Sequence, residues 1–378
     1  MNVSCLQEHL AKGLGIVSRA VATRSTLPIT SNVLIATEEG RLKLAATNLE
    51  IALTCWIGAE VEEEGAITVQ ARLLGDFVNS LPSEKIELTL APRSRQLKLA
   101  CARNQASMAG VDADDFTPIP TVEDGGAVQL DPQELHAAIA QVIIAAATDD
   151  SRPVLTGVDL VMEGDDLTLA AADGFRLSVR KLTLSKAVKE RTEVIVPARA
   201  LGELNRLLPE ETEPVELTLN ATRTQALFRL KNVELVAQLI QGTFPNYGQL
   251  IPDEVASRAT VDVAEFLRET RIASIFARDG SGIVQLQFQP GEDVAPGRMI
   301  ISARAEEVGD NMGELDATIE GEPDKIAFNG RYLQDFLQVV EGKGRVVLEM
   351  NGASRQGVLR PVGDERFVHV LMPMVVQW

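Results

Sequence analysis

The chain has 378 residues, with 36 Lys and Arg against 54 Asp and Glu, for a formal net charge of −18. That length exceeds one ordinary core and suits two or three domains, while the acidity excludes a protein that grips nucleic acid by bulk charge. Three cysteines, Cys5, Cys55 and Cys101, lie far apart without disulfide or metal-ligand spacing. The start lacks a basic segment followed by an apolar one, and no run approaches the ~18 apolar residues of a membrane span. A soluble, acidic protein of the cytoplasm, with no membrane partner, is expected.

Taken in order, the chain repeats itself with a period of about 125–132 residues, so each repeat is a domain and not a solenoid unit. Each copy opens with an amphipathic helix, expected over Leu6–Ala20, Pro132–Ala147 and Val263–Ala277. Asp131 and Asp262 stand as N-caps of the second and third. Strand pairs follow: Asn32–Thr37 with Arg41–Ala46, Gly157–Met162 with Asp166–Ala171, and Ile283–Gln289 with Arg298–Arg304. The first two pairs flank Glu-Glu-Gly and Glu-Gly-Asp hairpin turns.

A second helix comes next, headed in every copy by an arginine. Leu74, Phe77, Val78 and Leu81 share a face behind Arg72, Leu201, Leu204 and Leu208 behind Arg199, and Leu333, Phe336, Leu337 and Val340 behind Arg331. A cation in the first turn meets the positive end of the helix dipole and loses roughly 0.3–1 kcal/mol. Asp76, Glu203 and Asp335, four places on, would return only about 0.3–0.5 kcal/mol as exposed pairs. Local stability explains these arginines poorly; the choice is between solvated surface charges and a common anion. After the helix come Ile86–Leu90, Val215–Leu219 and Val346–Met350, and then the endings Phe116-Thr-Pro-Ile-Pro120, Phe244-Pro-Asn-Tyr247 and Val370-Leu-Met-Pro-Met374. The expected fold is α+β, three tandem domains of two helices packed on antiparallel sheets, over residues 1–122, 127–253 and 259–378.

The chain resembles the bacterial DNA polymerase III beta subunit, the sliding clamp, over essentially its whole length. The motifs that carry the resemblance are Arg24-Ser-Thr-Leu-Pro-Ile29, Ala172-Asp-Gly-Phe-Arg-Leu177, Val194-Ile-Val-Pro197, Phe244-Pro-Asn-Tyr247 and Val370-Leu-Met-Pro-Met374. The resemblance implies a head-to-tail homodimer closing into a ring whose hole is lined by helices and threaded by double-stranded DNA. Topology then replaces affinity, which removes the charge paradox, since tight non-specific binding needs many neutralised phosphates. By resemblance Arg24, Arg72, Arg152, Arg199 and Arg331 are the expected DNA-binding residues, although charges over the six helices are nearly balanced. Contacts of this kind position without reading bases.

The resemblance further implies an apolar pocket between the second and third repeats for short linear motifs of client proteins. Those clients are the DNA polymerase III alpha subunit, the clamp loader ATPase, and other polymerases and repair proteins. Its expected wall is Leu155, Ala172, Gly174, Phe175, Arg176, Leu177, Pro245, Leu250, Asn329, Tyr332, Val370, Leu371, Met372, Pro373 and Met374. Methionines that repack suit several clients. The chain departs from the family where Ala172 and Phe175 replace a threonine and a histidine, and where Pro153-Val154 replaces an aromatic pair beside Arg152. It also runs on to Trp378, expected to cover or extend the pocket. The dimer contact is expected between an edge strand near Gln105–Ala109 and one near Arg298–Ala303, with Ala106, Met108 and Ile272 as apolar contacts.

No catalytic constellation accompanies this. His9, His136 and His369 are scattered, and no phosphate loop, nucleophile elbow or CxxC is present. No cofactor or metal is expected. The alternatives to a processivity ring are a specialised clamp paralog or ring scaffold with altered client binding and, more weakly, a hydrolase using Asp173, for which a turn role is the competing reading.

Overall fold

A computed structural model of the chain describes residues 1–22, 27–91, 95–122, 126–277, 282–291, 296–305, 307 and 309–376. Arg24 and Trp378 therefore lie outside the described residues. The first repeat runs β1 (Asn2–Leu6), α1 (Gln7–Val17), β2 (Asn32–Glu38), β3 (Arg41–Thr47), β4 (Ile51–Gly58), β5 (Glu60–Glu63), β6 (Ala66–Gln70), α2 (Ala71–Asn79), β7 (Lys85–Ala91), β8 (Gln96–Cys101) and β9 (Asn104–Val111). The second runs β10 (Val128–Leu130), α3 (Pro132–Ile143), β11 (Gly157–Glu163), β12 (Asp166–Ala172), β13 (Arg176–Thr183), β14 (Thr192–Pro197), α4 (Ala198–Asn205), β15 (Val215–Leu219), β16 (Gln225–Arg229) and β17 (Val233–Gln238). The third runs β18 (Ser257–Asp262), α5 (Val263–Ala277), β19 (Ile283–Gln289), β20 (Gly297–Ala305), β21 (Gly309–Gly321), β22 (Asp324–Asn329), α6 (Gly330–Val339), β23 (Arg345–Met350), β24 (Gly357–Pro361) and β25 (Phe367–Leu371). The same series of strand, helix, strands, helix and three strands recurs three times, which is the α+β clamp-domain order expected of the repeats.

Contacts divide the chain into two compact units: residues 1–132 with 206–239, and residues 133–205 with 240–378. In the first unit β4 pairs with β17, Ala52 facing Val236, so a strand of the second repeat continues the sheet of the first. In the second unit β13 pairs with β25, Leu177 facing Val370, and a strand of the third repeat continues the sheet of the second. Both joints are antiparallel. Alternation along these strands turns one set of side chains toward each face.

Helix faces behave as their spacing requires. Leu74 and Val78 on α2, Leu201 on α4, and Leu333, Phe336 and Leu337 on α6 are buried. The third repeat gathers Phe266, Phe288, Phe328, Phe336 and Phe367 in one cluster, which is where much of the chain's scarce aromatic area is used. Asp262 caps α5, its Oδ1 accepting from the Glu265 amide at 3.0 Å. No helix of the described residues is long and apolar enough to cross a membrane.

Three expectations are corrected. The helix expected to reach Ala147 ends at Ile143, after which the Ala145 and Ala146 amides donate to Val142 and Ile143 in tighter turns. The helix carrying Arg199 ends at Asn205, so Arg206 and Leu208 are not on it; the Pro209 ring would meet the carbonyl four residues back. Arg298–Ala303 is not an edge: β20 pairs with β19 on one side and β21 on the other.

Candidate functional site

At the joint of the second unit, an apolar cluster forms on the face away from α6. Leu177 and Val370, cross-strand partners, pack with Val358, Val368 and Phe244, and partly buried Leu155, Ala172, Tyr247 and Leu250 close in around them. Phe244 and Tyr247, from the segment that crosses this sheet face, meet edge to face at 6.2 Å. Leu371, one residue along the strand from Val370, turns the other way into the Phe336 cluster, as strand alternation demands.

The β12–β13 turn sets the rim. Asp173 Oδ1 accepts from the amides of Phe175 and Arg176, at 2.8 and 3.0 Å, and Gly174 takes φ +93°, a conformation that favours glycine. Phe175 is left 56% exposed at its tip, and its carbonyl accepts from the Met372 amide at 2.8 Å. Arg152 donates from Nη2 to the Asp173 carbonyl at 2.9 Å, and its Nη1 lies 3.0 Å from the place a Gly174 side chain would occupy. Arg152 is thus tied to this rim.

Arg176 faces α6. Its Nε donates to Asp173 Oδ2 at 3.0 Å, its Nη1 to Asp335 Oδ2 at 2.6 Å, and its guanidinium stands 4.1 Å from the Tyr332 ring centroid. Asp335 therefore serves Arg176 and not Arg331, four residues before it. Asn329 caps α6 through Oδ1, accepting from the Arg331 amide at 2.9 Å, and the Met374 amide donates to the Ala327 carbonyl at 2.8 Å. Pro245 is exposed beside Phe244, and Met372, Pro373 and Met374 continue past β25 along this rim.

The first joint is an internal control, because the same turn is built there. Asn48 Oδ1 accepts from the Glu50 and Ile51 amides at 3.0 and 2.8 Å, and Leu49 holds φ +77° where the second joint has Gly174. Ala52, Leu227 and Val236 take the places of Leu177, Val358 and Val370, and Ile119 and Val122 pack on them. Thr30 stands where Leu155 does, and Ile51 where Arg176 does. The backbone frame is shared; the larger apolar wall and the cation are not.

Of the helix-head arginines, Arg72 is 90% exposed with Asp76 3.8 Å away, and Arg199 and Arg331 are exposed in the first turns of α4 and α6. Met108 is already buried within the chain, whereas Ile272 is 36% exposed on α5. Sequence reasoning missed Asp335, Val358 and Val368. It also missed a cavity of about 560 Å³ in the first unit, lined by Lys12, Arg19, Arg206 and Lys231 among others. Lys12 pairs there with Glu210, and Lys231 with Glu213. Asp173, the one imaginable catalytic acid, has both oxygens committed to the turn and to Arg176.

Three domain copies of alternating helix and antiparallel strand, joined strand to strand with an apolar rim at one joint, define a DNA-clamp class of protein. The chain matches the DNA polymerase III beta subunit N-terminal domain over residues 1–120, the central domain over 129–246 and the C-terminal domain over 248–375. A beta sliding clamp of Synechococcus elongatus is 33% identical over 99% of both chains, and that of Bacillus subtilis 29% identical over 99% of both. Among solved structures, the sliding clamp of Bacillus subtilis aligns with TM-score 0.93 at 28% identity, and the DNA polymerase III subunit beta of Pseudomonas aeruginosa with 0.91 at 26%; each covers 100% of both chains. The chain belongs to the beta sliding clamp family, the beta subunits of DNA polymerase III.

Proposed function

We propose that the chain closes as a head-to-tail homodimer around double-stranded DNA and tethers client proteins by a short linear peptide at its second joint. The contrast between the two joints carries the client reading. Both contain the same turn, but only the second adds Leu155, Leu177 and the Arg176–Tyr332–Asp335 group, with methionines 372 and 374 alongside. An apolar wall with a few fixed polar groups suits a peptide whose backbone needs orienting and whose side chains need burial. The DNA polymerase III alpha subunit, the clamp loader ATPase, and other polymerases and repair proteins are the clients. The chain acts as a non-catalytic accessory.

For DNA, the exposed helix heads at Arg72, Arg199 and Arg331 offer few phosphate contacts on an otherwise acidic chain. That favours sliding, because each added phosphate contact steepens salt dependence and holds the protein in place. Loading by a clamp loader with ATP onto nicked circular DNA tests the ring. Retention on circles with loss after linearisation is expected, and equal retention on both forms overturns it. A labelled apolar client peptide tests the pocket by anisotropy: Phe175→Asp and Met372→Asp are expected to weaken it at least tenfold while leaving the dimer intact. Unchanged peptide affinity overturns the pocket.

A further inference from the structure

Among the strand edges that the described residues leave open are those of β9 and β21. β9 pairs with β8 from Asn104 to Ala109, while on its other side only Gly110 and Val111 meet β6. β21 pairs with β20 from Gly309 to Ala317, and β18 covers only its far end, Thr318–Gly321. β9 is the first repeat's counterpart of β17 and β25, the strands that make the two joints. β21 is the third repeat's counterpart of β4 and β13, the strands that receive them. Open edges of matching kind invite pairing between copies. This step rests on the ring proposed above.

The internal joints supply the register. Counting from the helix-head arginines across the paired strands, Ala52, Leu177 and Asp310 hold one position. The β8–β9 and β16–β17 hairpins each close on a two-residue turn, with Cys101 facing Asn104 and Leu230 facing Val233, so Ser107 holds the position of Val236. Lys98, opposite Ser107, then holds that of Leu227. At the internal joints these three places are filled by Ala52, Val236 and Leu227, and by Leu177, Val370 and Val358. Both trios sit in apolar clusters.

We propose that the joint between two copies is ionic at this position: Lys98 of one copy pairs with Asp310 of the other, across Ser107. Lys98, Ser107 and Asp310 are exposed in the single chain, and neither charge has an ion-pair partner among the described residues. Glu87 lies on the strand beside Lys98 and lines the same shallow hollow. On the helix side the joint is apolar: Ile275, 57% exposed, stands where Ile144 packs against the third repeat's core. The ring is therefore permanent at its four internal joints and screenable at its two closing ones, a division suited to opening by a loader. Exposed ion pairs weaken as salt rises, apolar joints do not.

The test is the dimer dissociation constant of the full chain by sedimentation at ~0.05 and ~0.5 M NaCl. Lys98→Asp and Asp310→Lys are each expected to raise it about tenfold at low salt, and the double exchange to restore it to within about threefold. Lys98→Leu with Asp310→Ala is expected to give a dimer indifferent to salt. Unaltered affinity in both single variants, or no rescue in the double, overturns the ion pair while leaving the ring. A wild-type chain that stays monomeric at micromolar concentration overturns the ring and the pair together.

Discussion

Arg176 and Asp335 meet at 2.6 Å although 159 residues separate them, and the pair ties β13 to α6 beneath the rim proposed to receive client peptides. Both side chains are largely covered, and the same arginine also reaches Asp173 and stacks on Tyr332. Removing the cation takes from Asp173 Oδ2 and Asp335 Oδ2 the donor that they share, while Asp173 Oδ1 keeps the turn amides. Arg176→Ala is expected to cost roughly 2–4 kcal/mol in urea unfolding, and Arg176→Lys about half of that, because an ammonium cannot fork between two acids and lie flat on a ring. Client peptide affinity should fall with both, since the turn bearing Phe175 loses its anchor. Equal stability of wild type and Arg176→Ala would show the group to be ornamental.

Asp159 on β11 is 3% exposed, and its Oδ1 has no hydrogen-bond partner. Burial, with Glu193 adding repulsion, pushes its carboxyl up to about 7, against a smaller opposing pull from Arg191. The folded chain therefore keeps a proton that the unfolded chain releases near pH 4. Stability from this group is greatest at low pH, declines as pH rises from about 4 to about 7, and is flat above. Asp159→Asn is expected to raise the unfolding free energy at pH 8 by on the order of 2–4 kcal/mol, and with it the midpoint, and to flatten the slope between pH 4 and 7. A midpoint at pH 8 that does not move would remove Asp159 from that slope.

His369 carries the opposite sign. It is fully buried, shares a 2.7 Å hydrogen bond between Nδ1 and Ser178 Oγ, and stacks on Phe336 at 5.1 Å. Burial, helped by the Arg176 charge, lowers its pKa to about 3. The unfolded chain takes up this proton near pH 6.5 and the folded chain does not, so the contribution is complete above pH 6.5 and is lost as pH falls toward 3. Imidazole resonances followed by NMR should show His369 untitrated from pH 8 to 4.5. A titration with a midpoint near 6 would mean that the ring reaches water.

The threefold order was legible because helix and strand periods survive in each copy: Val263–Ala277 and Ile283–Gln289 take the bounds their patterns set. Leu177 and Val370 were legible only through resemblance, since singly each reads as a strand residue. What escaped was long-range. Asp335 reads as a helix-surface partner for Arg331, and nothing local indicates that Arg176 claims it from another repeat. The edge near Arg298 was misplaced for the same reason: an amphipathic strand looks alike whether it has one neighbour or two, and only the pairing of β20 with both β19 and β21 settles it. Arg152, expected at DNA by resemblance, also braces the Asp173–Gly174 turn, a contact that nothing local in the sequence indicates.

Leu49 is the sharpest departure from local preference at the joints. It is 52% exposed, has φ +77°, and repeats the place that Gly174 fills at φ +93°. A leucine there crowds its Cβ against the backbone, at about 1–2 kcal/mol, while glycine gives back about 0.5–1 kcal/mol through its freer unfolded chain. Little packing is lost with an exposed side chain. Leu49→Gly is therefore expected to stabilise the chain by roughly 0.5–1 kcal/mol, and Gly174→Leu to destabilise it by more, because Arg152 already fills the space beside Gly174. Paired denaturation curves decide it. If Leu49→Gly lowers the midpoint, Leu49 makes contacts that outweigh its strain, and the first joint is more than a reduced copy of the second.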